Sequence, residues 1–140
     1  MKKGFTCGTF DLCHAGHFLM FKECKENCDY LIVALQSDPT LDRPNKNKPV
    51  LTVKERATIL EGVKYIDELR FYNTETELLE LLKEIKPEIR FVGEDHKSKS
   101  FTGDTLSSKI FWNKRYGYSS SDLRRRVYEA ELLKLQNSIV

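Results

Sequence analysis

Ten residues near the start of the chain, Gly8-Thr9-Phe10-Asp11-Leu12-Cys13-His14-Ala15-Gly16-His17, hold two of its three histidines. The two are three apart, so on one helical turn both rings can face the same point. A helix that begins there offers unpaired N–H groups and a partial positive charge, which attract phosphate. Imidazolium groups at that place would donate hydrogen bonds to phosphoryl oxygens. Gly16 between them would let a ligand come close to the backbone. The segment is not a P-loop, because no Gly-Lys-Ser/Thr follows. A second cluster, Lys114-Arg115-Tyr116-Gly117-Tyr118-Ser119-Ser120-Ser121, sets cations ahead of hydroxyls and a helix start. In physical terms it is another polyphosphate cradle. Serines are also ordinary N-caps, and Ser119 with Asp122 has the form of a capping box.

The elements that must hold these clusters follow from hydrophobic period. Residues 4–7 are a short strand ahead of the first cluster, and residues 15–27 turn helical. Residues 30–35 are a continuous apolar run, the pattern of a strand buried on both faces. Residues 36–51 carry Pro39, Pro44 and Pro49 and form a long loop, a length that is usually functional. Thr52-Val53-Lys54-Glu55 and Thr74-Glu75-Thr76-Glu77 are capping-box patterns that open two helices. The second helix, ended by Pro87, places Leu78, Leu81, Leu82 and Ile85 on one face. Residues 69–72, 89–92 and 110–112 are short strands, residues 94–107 a polar loop, and a last helix follows the serines. Strands alternating with helices predict an α/β fold: a parallel sheet of about five strands with helices on both faces. Its crossovers should be right-handed. Ligands in such sheets bind beyond the carboxyl ends of the strands, so the loops after Cys7, Leu35, Val92 and Trp112 should share one rim.

With 140 residues, the chain is expected to be a single domain over 1–140, with residues 129–140 a helical tail that frays at its end. Lys and Arg number 23 against 21 Asp and Glu, for a net charge of +2. That balance speaks against a strongly electrostatic nucleic-acid binder. A content of 40% hydrophobic and 11% aromatic residues argues against general disorder. No apolar run approaches the roughly 20 residues that span a bilayer, and the N-terminus lacks an apolar stretch of secretory-signal length. Cys7, Cys13, Cys24 and Cys28 crowd the first fifth of the chain with no C-x-x-C pair. They read as buried thiols of a cytoplasmic protein rather than a disulfide framework. The run Arg124-Arg125-Arg126 reads as a solvated helix face from which one arginine can reach the phosphates. Asp11 reads as a turn residue holding the histidine segment.

His14-Ala15-Gly16-His17 and the Gly8-Thr9-Phe10-Asp11-Leu12 before it resemble the H-x-G-H signature and lead-in of cytidylyltransferases, within the nucleotidyltransferase superfamily of Rossmann-like fold. Residues 115–121 resemble that family's late R-T-x-G-I-S-T-T motif. The similarity runs from about Lys2 to Val127, and the form is most like glycerol-3-phosphate cytidylyltransferases. The resemblance implies transfer of CMP from CTP to a small phosphorylated alcohol, with release of pyrophosphate and no covalent intermediate. ATP is the alternative nucleotide, an aminoalcohol phosphate the alternative acceptor, and a non-enzymatic nucleotide-binding module the other class. Carried onto this chain, His14 and His17 would stabilise the transition state. Gly8, Thr9, Phe10 and Gly16 would meet the nucleotide, and Lys46 or Lys48 would contact its phosphates from the loop. Asp38, Arg56 and His96 fall on the acceptor side. Gly93 and Asp95 stand in the segment matching G-D-D, with Glu94 in place of its first aspartate. The late segment is one residue short, so either Lys114 or Arg115 fills its basic role ahead of Ser119, Ser120 and Ser121. Mg²⁺ carried on the phosphates, with Asp11 as a candidate contact, and a homodimer complete what the resemblance implies.

Overall fold

The computed structural model describes residues 1–138. Five strands form one fully parallel sheet: β1 (Lys3–Gly8), β2 (Tyr30–Gln36), β3 (Glu68–Tyr72), β4 (Ile89–Gly93) and β5 (Lys109–Asn113). Their spatial order is β3-β2-β1-β4-β5. Four helices alternate with them: α1 (Ala15–Glu26), α2 (Val53–Glu61), α3 (Glu75–Ile85) and α4 (Ser120–Ser138). The architecture is the parallel α/β sheet that the alternation predicts, with the Rossmann-like form that the resemblance implies. Short 3-10 turns interrupt the two long loops, at Pro39–Leu41 and Glu94–His96.

The apolar run of β2 is divided between two cores by the strand period of two. Leu31, Val33 and Leu35 pack with Phe21, Cys24, Leu60 and Phe91 under α1 and α2. Ile32 and Ala34 pack with Phe5, Leu78, Leu81, Leu82 and Ile85 under α3. Fully burying a side chain of this kind contributes about 1.5–3 kcal/mol. Both expected capping boxes form: Thr52 with Glu55 opens α2, and Thr74 with Glu77 opens α3. Lys86 takes a left-handed φ of 52° and ends α3 ahead of Pro87. Val63 lies beyond the end of α2 but is buried in the same core as Leu60.

The chain fills the β2–β3 side first and then returns through α3 to β4 on the other side of β1. That reversal lies between β1 and β4, where Phe5 registers with Arg90. Loops leaving the carboxyl ends part there and leave a crevice, the usual ligand site of such sheets. The expected tail over 129–140 is helical as far as Ser138, and its last two residues lie outside the described residues. No side chain of α4 is buried. Among the described residues no helix is long and apolar enough to cross a membrane, and all four cysteines are free.

Candidate active site

The two histidines build the N-terminus of α1 out of their own side chains. His14 is the N-cap: its Nδ1 accepts from the Gly16 N–H at 3.1 Å, and its own N–H donates to His17 Nδ1 at 3.1 Å. This is a reciprocal capping box with imidazoles in place of Ser and Glu. Because both Nδ1 atoms are acceptors, each neutral ring carries its proton on Nε2. His14 Nε2–H then donates to Ser120 Oγ at 3.3 Å. The rings lie 4.1 Å apart, and His17 faces the cleft. Burial lowers the His14 pKa. Burial, and then the neighbouring His14, push His17 down to about 4. Near pH 7 the pair is therefore neutral rather than the imidazolium groups that the sequence suggested, since a second proton would have to displace a capping bond. His17 lines the cleft, while His14 stands off its wall with its Nε2–H on Ser120.

The turn before the pair is bent. Phe10 and Leu12 have φ of 50° and 51°, a left-handed conformation that costs a non-glycine residue about 1–3 kcal/mol. Burial of the Phe10 ring at 7% exposure offsets that strain, against Phe21 and edge-on to His17. Phe10 is thus anchored in the core and also lines the floor of the cleft, as Gly8 and Thr9 do. Gly16 does not open the backbone to a ligand. A Cβ there would stand 2.8 Å from Tyr118 Cβ and 2.9 Å from His14 Cε1, so its space is filled by the chain itself.

The long loop is tied down at both ends. Asp11 accepts from the Val50 and Leu51 N–H groups at 2.8 and 2.9 Å, which explains its position in the turn. Arg56 is 1% exposed and donates to the carbonyls of Thr9, Gln36, Ser37 and Leu51. It joins β1, β2 and the loop from within, and does not line the cleft on the acceptor side where the resemblance put it. Asp38 caps the 3-10 turn through Thr40 and pairs with Lys48 at 3.3 Å, and it too lies off the cleft wall. Lys46, held through its N–H to Arg43 O, lines the cleft. The loop therefore presents Lys46 rather than Lys48.

Across the cleft, Glu23 of α1 gathers residues 113–116. It accepts from Asn113 Nδ2, the Lys114 N–H and Tyr116 Oη–H at 2.9–3.0 Å. Lys114 and Arg115 both line the cleft; Arg115 also pairs with Asp95 at 3.4 Å. Glu94 accepts from the Arg115 N–H. Gly93, Asp95 and His96 form this rim, and a Cβ at Gly93 would stand 2.6 Å from Asp95 Oδ1. Ser119 spends its hydroxyl on the Asp122 N–H as the cap of α4, while Ser120 and Ser121 face the cleft. Arg124, one turn further, lines it as well and reaches Asp11 at 3.6 Å. Its spacing of three and four from the serines carried that information.

The result is a cleft of about 680 Å³, within the usual range of ligand sites. Arg43, Lys46, Arg90, Lys114, Arg115 and Arg124 line it against only Asp11, Glu75 and Asp95. Nothing in the sequence marks Arg43, and Arg90 shows there only as a charge inside the strand Ile89–Gly93. Excess positive charge, neutral N–H donors and a helix N-terminus define a site for a polyphosphate at the switch point of a Rossmann-like sheet. That is the chemistry of a nucleotidyltransferase. Residues 5–126 match the family described as cytidylyltransferase-like, and the chain belongs to that family. It is 30% identical over 129 residues to the bifunctional protein HldE of Campylobacter curvus, covering 91% of this chain and 27% of that protein. The HldE of Caulobacter vibrioides is 34% identical over 107 residues, covering 76% and 22%. The chain thus spans about a quarter of the length of these curated relatives. Among solved structures, the lipopolysaccharide core biosynthesis protein of Thermoplasma volcanium superposes with a TM-score of 0.68 at 26% identity, covering 83% of this chain and 98% of that one. A pantoate-beta-alanine ligase of Francisella tularensis shares the fold, with a TM-score of 0.53 at 20% identity, covering 81% and 59%.

Proposed function

We propose that the protein moves the CMP group of CTP to the phosphate of a small phosphorylated alcohol, with glycerol 3-phosphate the first acceptor to test. An acceptor phosphate oxygen attacks the α-phosphorus in line, the bond to the bridging oxygen breaks, and pyrophosphate leaves. The observation that carries this reading is the histidine capping box. It fixes the His17 Nε2–H as a donor at the cleft beside a helix N-terminus, holds His14 behind it through Ser120, and shares the cleft with Lys46 of the loop. Such preorganised donors lower a barrier by meeting charge where it develops. Ser120, Ser121 and Arg124 supply hydroxyls and a cation for the β- and γ-phosphates, and Lys114 and Arg115 add charge at the rim.

Among the described residues no three His, Cys, Asp or Glu side chains are grouped to hold an ion. Asp11 and Asp95 are already engaged by amides and arginines. This donor set fits Mg²⁺ that arrives on the triphosphate, where it would neutralise charge on the leaving pyrophosphate. The free thiols fit a cytoplasmic setting, and a homodimer belongs to the same reading. ATP is the alternative donor, because the relatives at 30–34% identity are HldE proteins and not cytidylyltransferases in name. The test is pyrophosphate release with Mg²⁺ and CTP or ATP against a panel of phosphorylated alcohols, with His17→Ala as control. CTP-dependent release that the variant loses is the expected result. Release with ATP alone moves the chain to the adenylyl branch, and CTP binding without release from any acceptor favours a binding module.

A further inference from the structure

One cation of the cleft comes from a strand rather than from a loop or α4. Arg90 sits in β4 on the sheet face covered by α3, and is 5% exposed. Its Nη1 donates to Thr102 O at 2.8 Å, and its Nη2 lies 3.6 Å from Cys7 Sγ. Its guanidinium lies 5.6 and 5.1 Å from the ring centroids of Phe5 and Phe101. Its Nε is buried without a hydrogen-bond partner. Among the described residues no carboxylate comes within ion-pair distance of it. A buried cation whose donors are not all met is destabilising unless something accepts from it, and since the Nε is closed to solvent, a ligand would meet the guanidinium through a remaining Nη hydrogen. Arg90 also lines the cleft, and the lobe around it holds its contacts Cys7 and Thr102, with Tyr72 and Glu75 beside Cys7. Gly103, at φ 74°, closes the loop over this lobe, where a Cβ would collide with Leu82 and stand 3.4 Å from Arg90 Nη1.

We propose that this lobe is the acceptor subsite, and that Arg90 holds the end of the acceptor remote from the attacking phosphate through an oxygen of a hydroxyl or a carboxylate. The claim rests on the transferase reading and narrows it. A buried guanidinium with no carboxylate in ion-pair contact disfavours an ammonium group at short range, even with Glu75 in the same cleft. The acceptor is therefore a phosphorylated polyol or hydroxy acid in preference to an aminoalcohol phosphate.

The test measures steady-state transfer with Mg²⁺ and the active nucleotide, comparing sn-glycerol 3-phosphate and 3-phosphoglycerate with phosphocholine and phosphoethanolamine. The first pair should exceed the second at least about hundredfold in kcat/KM. Arg90→Gln should raise the acceptor KM about tenfold or more, the size of one lost charge-assisted hydrogen bond. The nucleotide KM should stay unchanged, and Arg90→Lys should recover part of the loss. A second readout needs no variant. Trp112 is the only tryptophan and meets Phe101 edge-on at 6.1 Å, so its fluorescence reports the lobe. sn-Glycerol 3-phosphate or 3-phosphoglycerate titrated without nucleotide should shift it saturably, and phosphocholine should not. Efficient use of phosphocholine, or a folded Arg90→Gln protein with an unchanged acceptor KM, overturns the subsite. So does a flat Trp112 response to both oxygen-bearing probes. A saturable Trp112 response with no transfer from any nucleotide sinks the transferase reading while upholding the subsite.

Discussion

At the scale of single residues, the proposed function would make the histidine pair couple catalysis to folding, because the same Nδ1 atoms that cap α1 dictate which nitrogen donates. The His17 pKa falls from an ordinary 6.5 to about 4, so the unfolded chain binds the proton more readily than the native one. The stability this gives is fully present above about pH 6.5 and is lost as pH falls towards 4, up to about 3 kcal/mol in all. Urea unfolding from pH 7.5 down to 4 should follow that decline, and His17→Asn should flatten it; a parallel decline in the variant removes the link. His17→Ala should lower kcat about 100- to 1000-fold, the usual effect of deleting one preorganised donor, as read by pyrophosphate release. Gly16→Ala must displace Tyr118 or His14. It should cost about 1–3 kcal/mol and most of the activity, whereas full activity in a stable Gly16→Ala protein shows that the cap tolerates the shift.

Elements set the two walls of the cleft. The long loop is rigid at its ends because Asp11 holds its amides and Arg56 holds carbonyls on three segments. Removing Arg56 leaves buried carbonyls unpaired at about 1–3 kcal/mol each. Arg56→Met should therefore lower thermal stability by several degrees or prevent folding. An acceptor-contact role predicts instead an undisturbed melting temperature with a raised acceptor KM. On the opposite wall α4 delivers Ser120, Ser121 and Arg124 together, since residues three and four apart share a helix face. Arg124→Ala should raise the nucleotide KM about tenfold with kcat/KM falling in step. An effect on the acceptor KM alone would assign Arg124 elsewhere.

For the molecule as a whole, the open feature is α4. Its 19 residues bury nothing, and Tyr128, Leu132 and Leu135, at spacings of four and three, are 66%, 40% and 59% exposed. A helix stripe of this kind on an otherwise packed domain calls for cover. The homodimer of the proposed function would provide it. Sedimentation should give a dimer mass for the full chain, and Leu132→Glu with Leu135→Glu should give a monomer. A wild-type monomer at micromolar concentration removes that part of the reading.

The sequence by itself determined the order of elements, the two-faced burial of β2, the capping boxes of α2 and α3, and the helix start that follows residues 8–14. Each of these is local: a period, a cap or a turn is written within a few residues, and the alternation of elements leaves few topologies. Tertiary structure alone decided which basic and hydroxyl groups meet. Lys46 faces the cleft while Lys48 is spent on Asp38, Ser119 caps while Ser120 and Ser121 face inwards, and Arg56 is buried under carbonyls from three segments. The resemblance marked Asp38 and Arg56 by position, but a residue's position does not say what its side chain bonds to. Arg90 lies furthest from sequence reasoning, because an arginine amid apolar residues acquires meaning only when Phe5, Phe101 and Thr102, from two other segments, close around it. Contacts between residues distant in the chain depend on how whole elements pack, and packing is set by the summed fit of both cores rather than by any one stretch of sequence.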